Sequence, residues 1–461
     1  MCLPNAGEQR SVELIITAEQ PSRDALARWA DRLDPHEGLH VLALLSQGID
    51  EPGHLSVLVH HVVFDGASAA VFFGALSEAY AGRLGGSDGA APEVGFVTYA
   101  EALAGRIGSG GFADGVGYWG EALAGAPTVF GRVGDYADRG EAVRVAVSLG
   151  ELSSAVKELA RREGVTLFML LLAVFNVALF RFSGSRDVLV GSPMSTRSSR
   201  FREAVGCFLN TVVLRSSVDE DVAFRELLRG VRRTVSEAIE HRDVPFELVL
   251  DALEVERSAS HPPLVQVLFQ FDHPIPLPPD SLFAMLHETY LGASLPISLI
   301  CGAGGNDIEI ELLHDMGGSV GDAIGRLPDT MLELLRVLVK GGASEAPLAE
   351  TLAVLGPAEQ LWTDAASFDH ASDRADGVNG QAVVVDDVLA QVLAEFQTVL
   401  RVEDLTASAA FFDHGGDSLA ALELAQQLSE AFDVKVKVLD IFEAETPAGV
   451  AERLTTLGVA R

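Results

Sequence analysis

Two adjacent histidines are the first candidates for chemistry, in the segment HHVVFDG at residues 60–66. An imidazole has a pKa of about 6.5, so it can accept or donate a proton near neutral pH. Such a side chain can act as a general base, or it can orient a reacting group by hydrogen bonding. Two histidines in a strand are also often packed, structural residues, and Asp65 could do no more than cap a helix. The segment by itself leaves both interpretations open.

A second candidate is Ser418, in the segment FFDHGGDSLAAL at residues 411–422. Two glycines give the backbone of the preceding loop conformational freedom, and an apolar helical pattern follows the serine. A serine at the start of a helix has an exposed hydroxyl that a modifying enzyme can reach. Asp417 or Ser418 could instead only cap this helix, and the segment alone does not decide between capping and modification.

The elements around the histidines can be predicted from the apolar pattern. Residues 54–64, rich in valine and leucine, predict a buried strand, and the DGAS that follows provides turn and N-cap residues for a helix. His61 is therefore expected near the end of a strand. Strand alternation turns His60 to the opposite face, where we expect it to be packed. Gly66 is expected to permit the turn.

Strand and helix patterns are mixed up to residue 356. Strands are predicted by DVLVGSP, AVGCFLNTVVLRSSV, LVQVLFQFDH and DIEIELLHD. Two helices that separate at Gly164 are predicted by GELSSAVKELARREGVTLFMLLLAVFNVALFRFSG. The apolar residues 165–180 are fewer than the ~20 of a membrane span and include Asn176, so we expect a buried helix. This mixture predicts an α/β or α+β body.

The C-terminal part differs in character. Residues 357–381 are polar and predict a linker. The chain from Ala382 onwards alternates helical patterns with short loops, and Thr446 with Pro447 has the pattern of a helix N-terminus. We therefore expect a small acidic helical bundle.

Charge and cysteine content exclude several classes of protein. Lysine and arginine total 33 against 66 acidic residues, a net charge of −33, which makes nucleic acid and anionic membranes poor partners. Cys2, Cys207 and Cys301 are far apart and form no CxxC pair, which favours a reducing compartment and argues against disulfides or a thiolate zinc site. No metal site is predicted. The first residues lack a signal-peptide pattern, and we expect a cytoplasmic protein.

Residues 384–457 resemble the peptidyl carrier domains of nonribosomal peptide synthetases. The resemblance lies in a long helix, a long loop ending in Asp-Ser-Leu, a second helix, and the segment DIFEAETPAGVAERL. It implies that Ser418 carries a covalent 4'-phosphopantetheine, whose thiol holds an acyl or aminoacyl group as a thioester.

The residues before the linker resemble the condensation domains of these synthetases, which share HHxxxDG with chloramphenicol acetyltransferase. Further similar blocks follow in order: FVTYAEAL, YWGEALAGAP, VGSPMSTRSSRFREAVGCFLNTVVLR, HRDVPFELVLDAL and HPPLVQVLFQF. The resemblance implies a two-lobed α/β (α+β), chloramphenicol acetyltransferase-like body plus a small all-α four-helix carrier bundle. We assign residues 1–140 and 141–356 to the two lobes, 357–381 to the linker and 382–461 to the carrier.

The resemblance also implies a function and roles for the motif residues. The protein would form an amide, or an ester with a hydroxyl acceptor, between a carrier-bound donor thioester and an acceptor nucleophile. His61 would be catalytic, as a base, a positioner of the acceptor or a stabiliser of the tetrahedral intermediate. Asp65 would pair with Arg197 to hold the histidine segment, with His60 and Gly66 as structural members of the motif.

Two departures from the family pattern lead to further expectations. Only 59 residues precede the motif and two early blocks are absent, so we expect a truncated N-terminal lobe without its first strand and helix. The linker is too short for an adenylation domain, so an adenylating enzyme would load Ser418 in trans. Other partners would be upstream or downstream carriers and a phosphopantetheinyl transferase. The alternatives are a silent platform that recruits a partner enzyme, and an epimerisation domain.

Overall fold

The structure is a computed structural model of the 461-residue chain. It describes residues 13–17, 21–33, 40–46, 53–85, 95–126, 139–255, 262–272, 295–304, 307–316, 318–340, 344–356, 386–402, 404–416 and 418–459. The predicted linker at residues 357–381 lies outside the described residues.

The chain divides into two units that are discontinuous in sequence. One unit comprises Met1–Phe112, Ser195–Leu209 and Pro274–Gly292, and the other comprises Ala113–Met194, Asn210–His273 and Ala293–Arg461. The boundary expected from the sequence is a single one, at residue 140. Three segments differ from that division: residues 113–140 belong to the second unit, and Ser195–Leu209 and Pro274–Gly292 belong to the first. Ser195–Leu209 hydrogen bonds to residues near HHVVFDG in the first unit.

In its described residues, the first unit contains a three-stranded sheet and three α-helices. Its elements are β1 (Glu13–Thr17), α1 (Arg23–Ala30), β2 (Val41–Ser46), β3 (His54–Val59), α2 (Gly66–Gly85) and α3 (Phe96–Gly108). The sheet order is β1-β2-β3, with β1 parallel and β3 antiparallel to β2. Alternate residues of β2 are buried, as the two-residue period of a strand requires. Leu42, Leu44 and Leu58 form a small core against Trp29 of α1.

The second unit contains a six-stranded sheet, in the order β4-β9-β8-β7-β5-β6. Its strands are β4 (Arg139–Ser148), β5 (Asp187–Ser195), β6 (Leu209–Ser217), β7 (Val267–Asp272), β8 (Ile297–Gly304) and β9 (Asp307–Met316). Its helices before the linker are α4 (Ala113–Ala122), α5 (Leu152–Arg162), α6 (Leu167–Ser183), α7 (Phe224–Glu240), α8 (Phe246–Ala252), α9 (Gly318–Ile324), α10 (Leu327–Val339) and α11 (Leu348–Val354). The predicted mixed α/β body is confirmed.

The apolar run at residues 165–180 forms the buried helix α6, as predicted. Thr166 caps its N-terminus by accepting a hydrogen bond from the N–H of Met169, and Gly184 ends it with a φ of 69°. Asn176 is fully buried, and its Nδ2 donates to the hydroxyl of Ser216 at 2.9 Å. Within the described ranges no single helix is long and apolar enough to span a membrane; α5 and α6 reach that length only as a pair bent by 102°.

The C-terminal region is the predicted four-helix bundle. Its helices are α12 (Asp386–Leu400), α13 (Ser418–Phe432), α14 (Val438–Ala444) and α15 (Pro447–Thr456). Phe396, Phe411 and Phe442 are fully buried at its centre. The hydroxyl of Thr446 accepts a hydrogen bond from the N–H of Gly449 at 3.1 Å and caps α15, as the sequence predicted.

Candidate active site and modification site

His61 lies in a short 3-10 helix, His61–Val63, directly after β3. The prediction of a strand through residue 64 is wrong in this respect, because β3 ends at Val59. His60 caps the new turn: its Nδ1 accepts a hydrogen bond from the N–H of Val62 at 3.2 Å. Strand alternation therefore does not orient His60, which is half-buried in this capping position.

The ring of His61 is oriented through Nδ1. This nitrogen lies 2.6 Å from the carbonyl oxygen of Phe64, so it carries the proton and donates it. In the neutral ring Nε2 then carries the lone pair, and the side chain is exposed. The ring is therefore fixed at one nitrogen while the other can face a reactant.

The pKa of His61 is raised from 6.5 to about 9. The largest cause is a hydrogen bond with Cys207, whose Sγ lies 4.0 Å from Nδ1. Burial opposes the rise, and the charge of Cys207 and the carbonyl of Phe64 add to it. The protonated ring is thus favoured across the neutral pH range.

Asp65 and Arg197 form a buried ion pair. Nη2 of Arg197 lies 2.8 Å from Oδ1 of Asp65, and the two side chains are 8% and 1% exposed. Nη1 of Arg197 donates to the carbonyls of Phe201 and Ala204, and the guanidinium lies 4.0 Å from the centre of the Phe208 ring. Buried charges are stable only when they are paired and hydrogen bonded in this way.

Asp65 also joins the two chain segments through backbone groups. Oδ1 accepts the N–H of Ser68 at 2.8 Å and so caps α2, while Oδ2 accepts the N–H of Phe208 at 2.9 Å. One carboxylate therefore performs both roles that the sequence analysis considered for it, as a cap and as the partner of Arg197.

Ser68 completes this network, which we call the Asp65 network (Asp65, Ser68, Arg197 and the backbone of residues 206 and 208). Its hydroxyl lies 2.7 Å from Oδ1 of Asp65 and 2.8 Å from the carbonyl oxygen of Gly206. It also accepts the N–H of Gly206 and Nη2 of Arg197, each at 3.0 Å. This role cannot be predicted from the sequence, because a serine three residues after Asp65 equally suits the first turn of a helix.

Gly206 is required by close packing. A Cβ at this position would lie 2.3 Å from Cδ2 of Phe96. Phe96 and Tyr99 of α3 pack with Phe201 and Phe208 in one aromatic cluster. Gly66, in contrast, is the exposed first residue of α2, where an added Cβ would meet no described heavy atom within 4 Å.

The side-chain amide of Asn210, in the second unit, hydrogen bonds to the backbone through both its nitrogen and its oxygen. Its Nδ2 donates to the carbonyls of Arg242 and Val244 at 2.7 and 2.6 Å, and its Oδ1 accepts the N–H of Phe246 at 3.1 Å. Both ends of the amide are thus used to hold the segment before α8.

Ser418 is the first residue of α13. Gly415, three residues earlier, is exposed and has a φ of 85°, a left-handed conformation that favours glycine. A Cβ at Gly416 would lie 2.4 Å from the Phe411 ring, so the chain runs directly over the core before it reaches the serine. A helix start that follows an exposed turn fits a covalently attached group.

The bundle contacts helices α5 and α7 through oppositely charged pairs. Nη1 of Arg161 lies 2.8 Å from Oδ1 of Asp413, and Nη1 of Arg232 lies 3.8 Å from Oε1 of Glu445. In the opposite sense, Nζ of Lys437 lies 3.7 Å from Oε2 of Glu240.

An apolar contact and a close approach accompany these charges. The guanidinium of Arg232 lies 5.9 Å from the centre of the Phe442 ring. A Cβ at Gly164 would lie 2.8 Å from Oε1 of Glu445. The Arg232 side chain is only 17% exposed, and this burial lowers its pKa.

Two family models match different parts of the chain. A model described as "Condensation domain" matches residues 7–289, more than half of the chain. The chain belongs to the condensation domain family. A second model, described as "Phosphopantetheine attachment site", matches residues 390–454, so α12 to α15 form a carrier domain that bears a covalent 4'-phosphopantetheine. No adenylation family is matched between the two regions.

Relatives of this condensation domain occur in nonribosomal peptide synthetases. One of the linear gramicidin synthase proteins of Brevibacillus parabrevis is 40% identical over 221 residues, which are 46% of this chain and 4% of that protein. The X-domain from teicoplanin biosynthesis has a TM-score of 0.62 at 23% identity, over 72% of this chain and 79% of that one. The four-domain nonribosomal peptide synthetase holo-AB3403 has a TM-score of 0.60 at 19% identity, over 92% of this chain and 33% of that one. The chain thus spans a small part of the length of the synthetases.

We expect Ser68→Ala to loosen the junction between the two segments of the Asp65 network. The substitution removes the acceptor of the Gly206 N–H, and a buried polar group without a partner costs about 1–3 kcal/mol. Amide hydrogen exchange, measured by mass spectrometry, should become about tenfold faster in peptides that cover residues 204–209.

The matched control is Ala67→Ser, because residue 67 is the exposed neighbour of Ser68 on the same helix. A surface change of this kind alters stability by no more than about 0.5 kcal/mol. Unchanged exchange in Ser68→Ala would contradict the role of its hydroxyl.

Proposed function

We propose that this protein forms an amide bond between a donor acyl group, held as a thioester on a carrier, and the amine of an acceptor substrate, with His61 at the reaction centre. A hydroxyl acceptor would give an ester in the same site. The observation that carries the proposal is the ring of His61, which is fixed through Nδ1 to Phe64 and exposed. Membership of the condensation domain family supports it.

His61 is assigned the role of a hydrogen-bond donor. An α-amine has a pKa of about 8, so a useful fraction is already neutral and can attack the thioester carbonyl without a strong base. The attack places negative charge on the carbonyl oxygen, and a preorganised donor at that oxygen lowers the barrier. Because the pKa of His61 is about 9, its ring is mostly protonated at neutral pH, and Nε2–H can act as this donor.

The proton balance is consistent with this role. Attack by the amine forms the C–N bond and leaves a proton on the nitrogen, while breakage of the C–S bond releases a thiolate. The thiolate can take up that proton, directly or through water, and His61 ends the reaction in the form in which it began. No net proton transfer to the protein is then required.

Ser418 is proposed as the attachment residue of the carrier domain. When bound, 4'-phosphopantetheine supplies the thiol that holds a substrate as a reactive thioester. The chain contributes the helix start at Ser418 and the exposed turn at Gly415. A phosphopantetheinyl transferase would install the group, and an adenylating enzyme acting in trans would load it.

Further partners are upstream or downstream carriers of a synthetase. The net charge of −33 makes nucleic acid and anionic membranes poor partners. We place the reaction in the cytoplasm, where free thiols such as Cys207 and Cys301 persist.

In the experiment, the donor is supplied as a carrier-bound thioester together with the acceptor, and the product is followed by mass spectrometry. We expect His61→Ala to lower the single-turnover rate about 100-fold or more, because the donor to the developing oxyanion is lost.

Ser418→Ala should prevent labelling by coenzyme A and a phosphopantetheinyl transferase. Ser408→Ala, an exposed serine of the loop before it, should leave labelling unchanged.

Three outcomes would count against this assignment. Equal rates in wild type and His61→Ala would remove His61 from the reaction, and labelling of Ser418→Ala would refute the attachment residue. No product from either protein, with normal labelling, would favour a platform that recruits a partner enzyme.

We further propose that the carrier domain of this chain docks on helices α5 and α7. The body contributes two cations and one anion, and the carrier contributes two anions and one cation in matching positions. Such complementarity favours the correct partner over others. Ser418 would therefore present its substrate to the condensation domain of the same chain.

We expect Arg232→Glu to weaken this docking, because it places a second acidic group beside Glu445. Amide exchange in residues 438–444 of α14 should become faster, and the added Glu445→Arg should restore protection. Arg229→Glu is the matched control, since Arg229 lies on the same helix, is 65% exposed and pairs with Glu226 of that helix. Equal effects of Arg229→Glu and Arg232→Glu would contradict a specific docking surface.

A further inference from the structure

Cys207 is held beside His61 by the Asp65 network. The residue before it, Gly206, exchanges hydrogen bonds with the hydroxyl of Ser68 through both backbone groups. The residue after it, Phe208, donates its N–H to Asp65. The backbone on both sides of Cys207 is therefore fixed to the start of α2, which begins five residues after His61.

The side chain of Cys207 faces the imidazole. Its Sγ lies 4.0 Å from Nδ1 of His61, the nitrogen that also donates to the carbonyl of Phe64 at 2.6 Å. Cys207 is half-buried, so its sulfur is partly accessible. Two acceptors, an oxygen and a sulfur, thus meet the same N–H of the ring.

We propose that Cys207 is a positioning residue for His61, which acts on the ring at Nδ1 and thereby keeps Nε2 as a protonated donor for the reacting carbonyl. The proposal rests on the proposed role of His61 and deepens it. It involves no covalent step. The sulfur acts only by accepting part of the hydrogen bond and, when ionised, by its charge.

The other charged groups near the ring do not replace this effect. Asp65 and Arg197 lie in the same network, but they neutralise each other in the 2.8 Å ion pair. His60 uses its Nδ1 to cap the 3-10 helix. The causes that raise the pKa of His61 are Cys207 and two backbone carbonyls, at Phe64 and at His61 itself, and Cys207 is the largest of them.

The sign of the effect follows directly. A partner that raises the pKa of an imidazole stabilises the protonated form, so removal of Cys207 must lower that pKa. The pH–rate profile should then show two limbs in the wild type. The rate rises up to about pH 8, as the acceptor amine becomes neutral. It falls above a pH of about 9, as His61 loses its proton.

The test is a titration of the histidine rings by nitrogen-15 NMR, with the His61 signal assigned by its loss in His61→Gln. Cys207→Ala should lower the midpoint of His61 by about one pH unit or more. Cys207→Ser keeps an acceptor but carries no charge, so its midpoint should lie between those of wild type and Cys207→Ala. The descending limb of the pH–rate profile should move by the same amount in each variant.

Reversible modification of the thiol provides a second measurement that leaves residue 207 unsubstituted. In a Cys2→Ser background, methyl methanethiosulfonate should label Cys207 and spare Cys301, which is 0% exposed. The label removes the ionisable thiol, so the midpoint of His61 should fall and should recover after reduction with dithiothreitol.

An unchanged His61 midpoint, in Cys207→Ala or in the labelled protein, would overturn the proposal. A full condensation rate in His61→Ala would instead overturn the proposed function of His61, whereas the titration would still decide whether Cys207 acts on the ring. The two failures are therefore distinguishable.

Discussion

The buried ion pair between Asp65 and Arg197 is the constraint on which the candidate active site depends. Two charges that are 1% and 8% exposed are tolerated only when every neighbour is in place, because a buried charge without its partner is strongly destabilising. Asp65 therefore fixes the N–H groups of Ser68 and Phe208, and Arg197 fixes the carbonyls of Phe201 and Ala204. The pair joins two segments that are 132 residues apart in sequence. His61 and Cys207 are each adjacent to one of these anchored segments.

Much of the fold follows from local patterns in the sequence. The buried helix α6 was predicted from its length and uniform apolar character, and α15 from Thr446 and Pro447. Both predictions are confirmed, since caps and apolar periodicity are local properties that the rest of the fold does not override. The end of β3 was placed five residues too late. Valines continue the strand pattern beyond His60, but the hydrogen bond from Val62 to the His60 side chain turns the backbone at that point.

The candidate site was less accessible to sequence analysis. The pairing of Asp65 with Arg197 was expected from a family resemblance and not from spacing, because no local pattern connects residues so far apart. Ser68 and Cys207 received no role in the site. A hydroxyl in the first turn of α2 fits a cap equally well, and a single cysteine carries no signal until the fold places it 4.0 Å from an imidazole.

Individual positive charges form specific contacts although the chain as a whole is strongly negative. The chain has a net charge of −33, yet helices α5 and α7 present Arg161 and Arg232 to acidic residues of the carrier. A net charge describes long-range attraction and solubility, whereas the choice of a partner depends on the positions of individual charges. The same distinction applies at His61, where one neighbouring sulfur is the largest cause of the raised pKa of the ring.

The central claim is that the Asp65–Arg197 pair holds the two segments of the site together as one unit. A double-mutant cycle tests it most directly, with Asp65→Leu, Arg197→Met and the combined variant, and with the opening free energy of β2 and β3 measured by hydrogen exchange. We predict that each single substitution costs about 3–5 kcal/mol, because it leaves one charge buried without a partner, and that the combined variant costs much less than the sum. Additive losses in the combined variant would contradict the account.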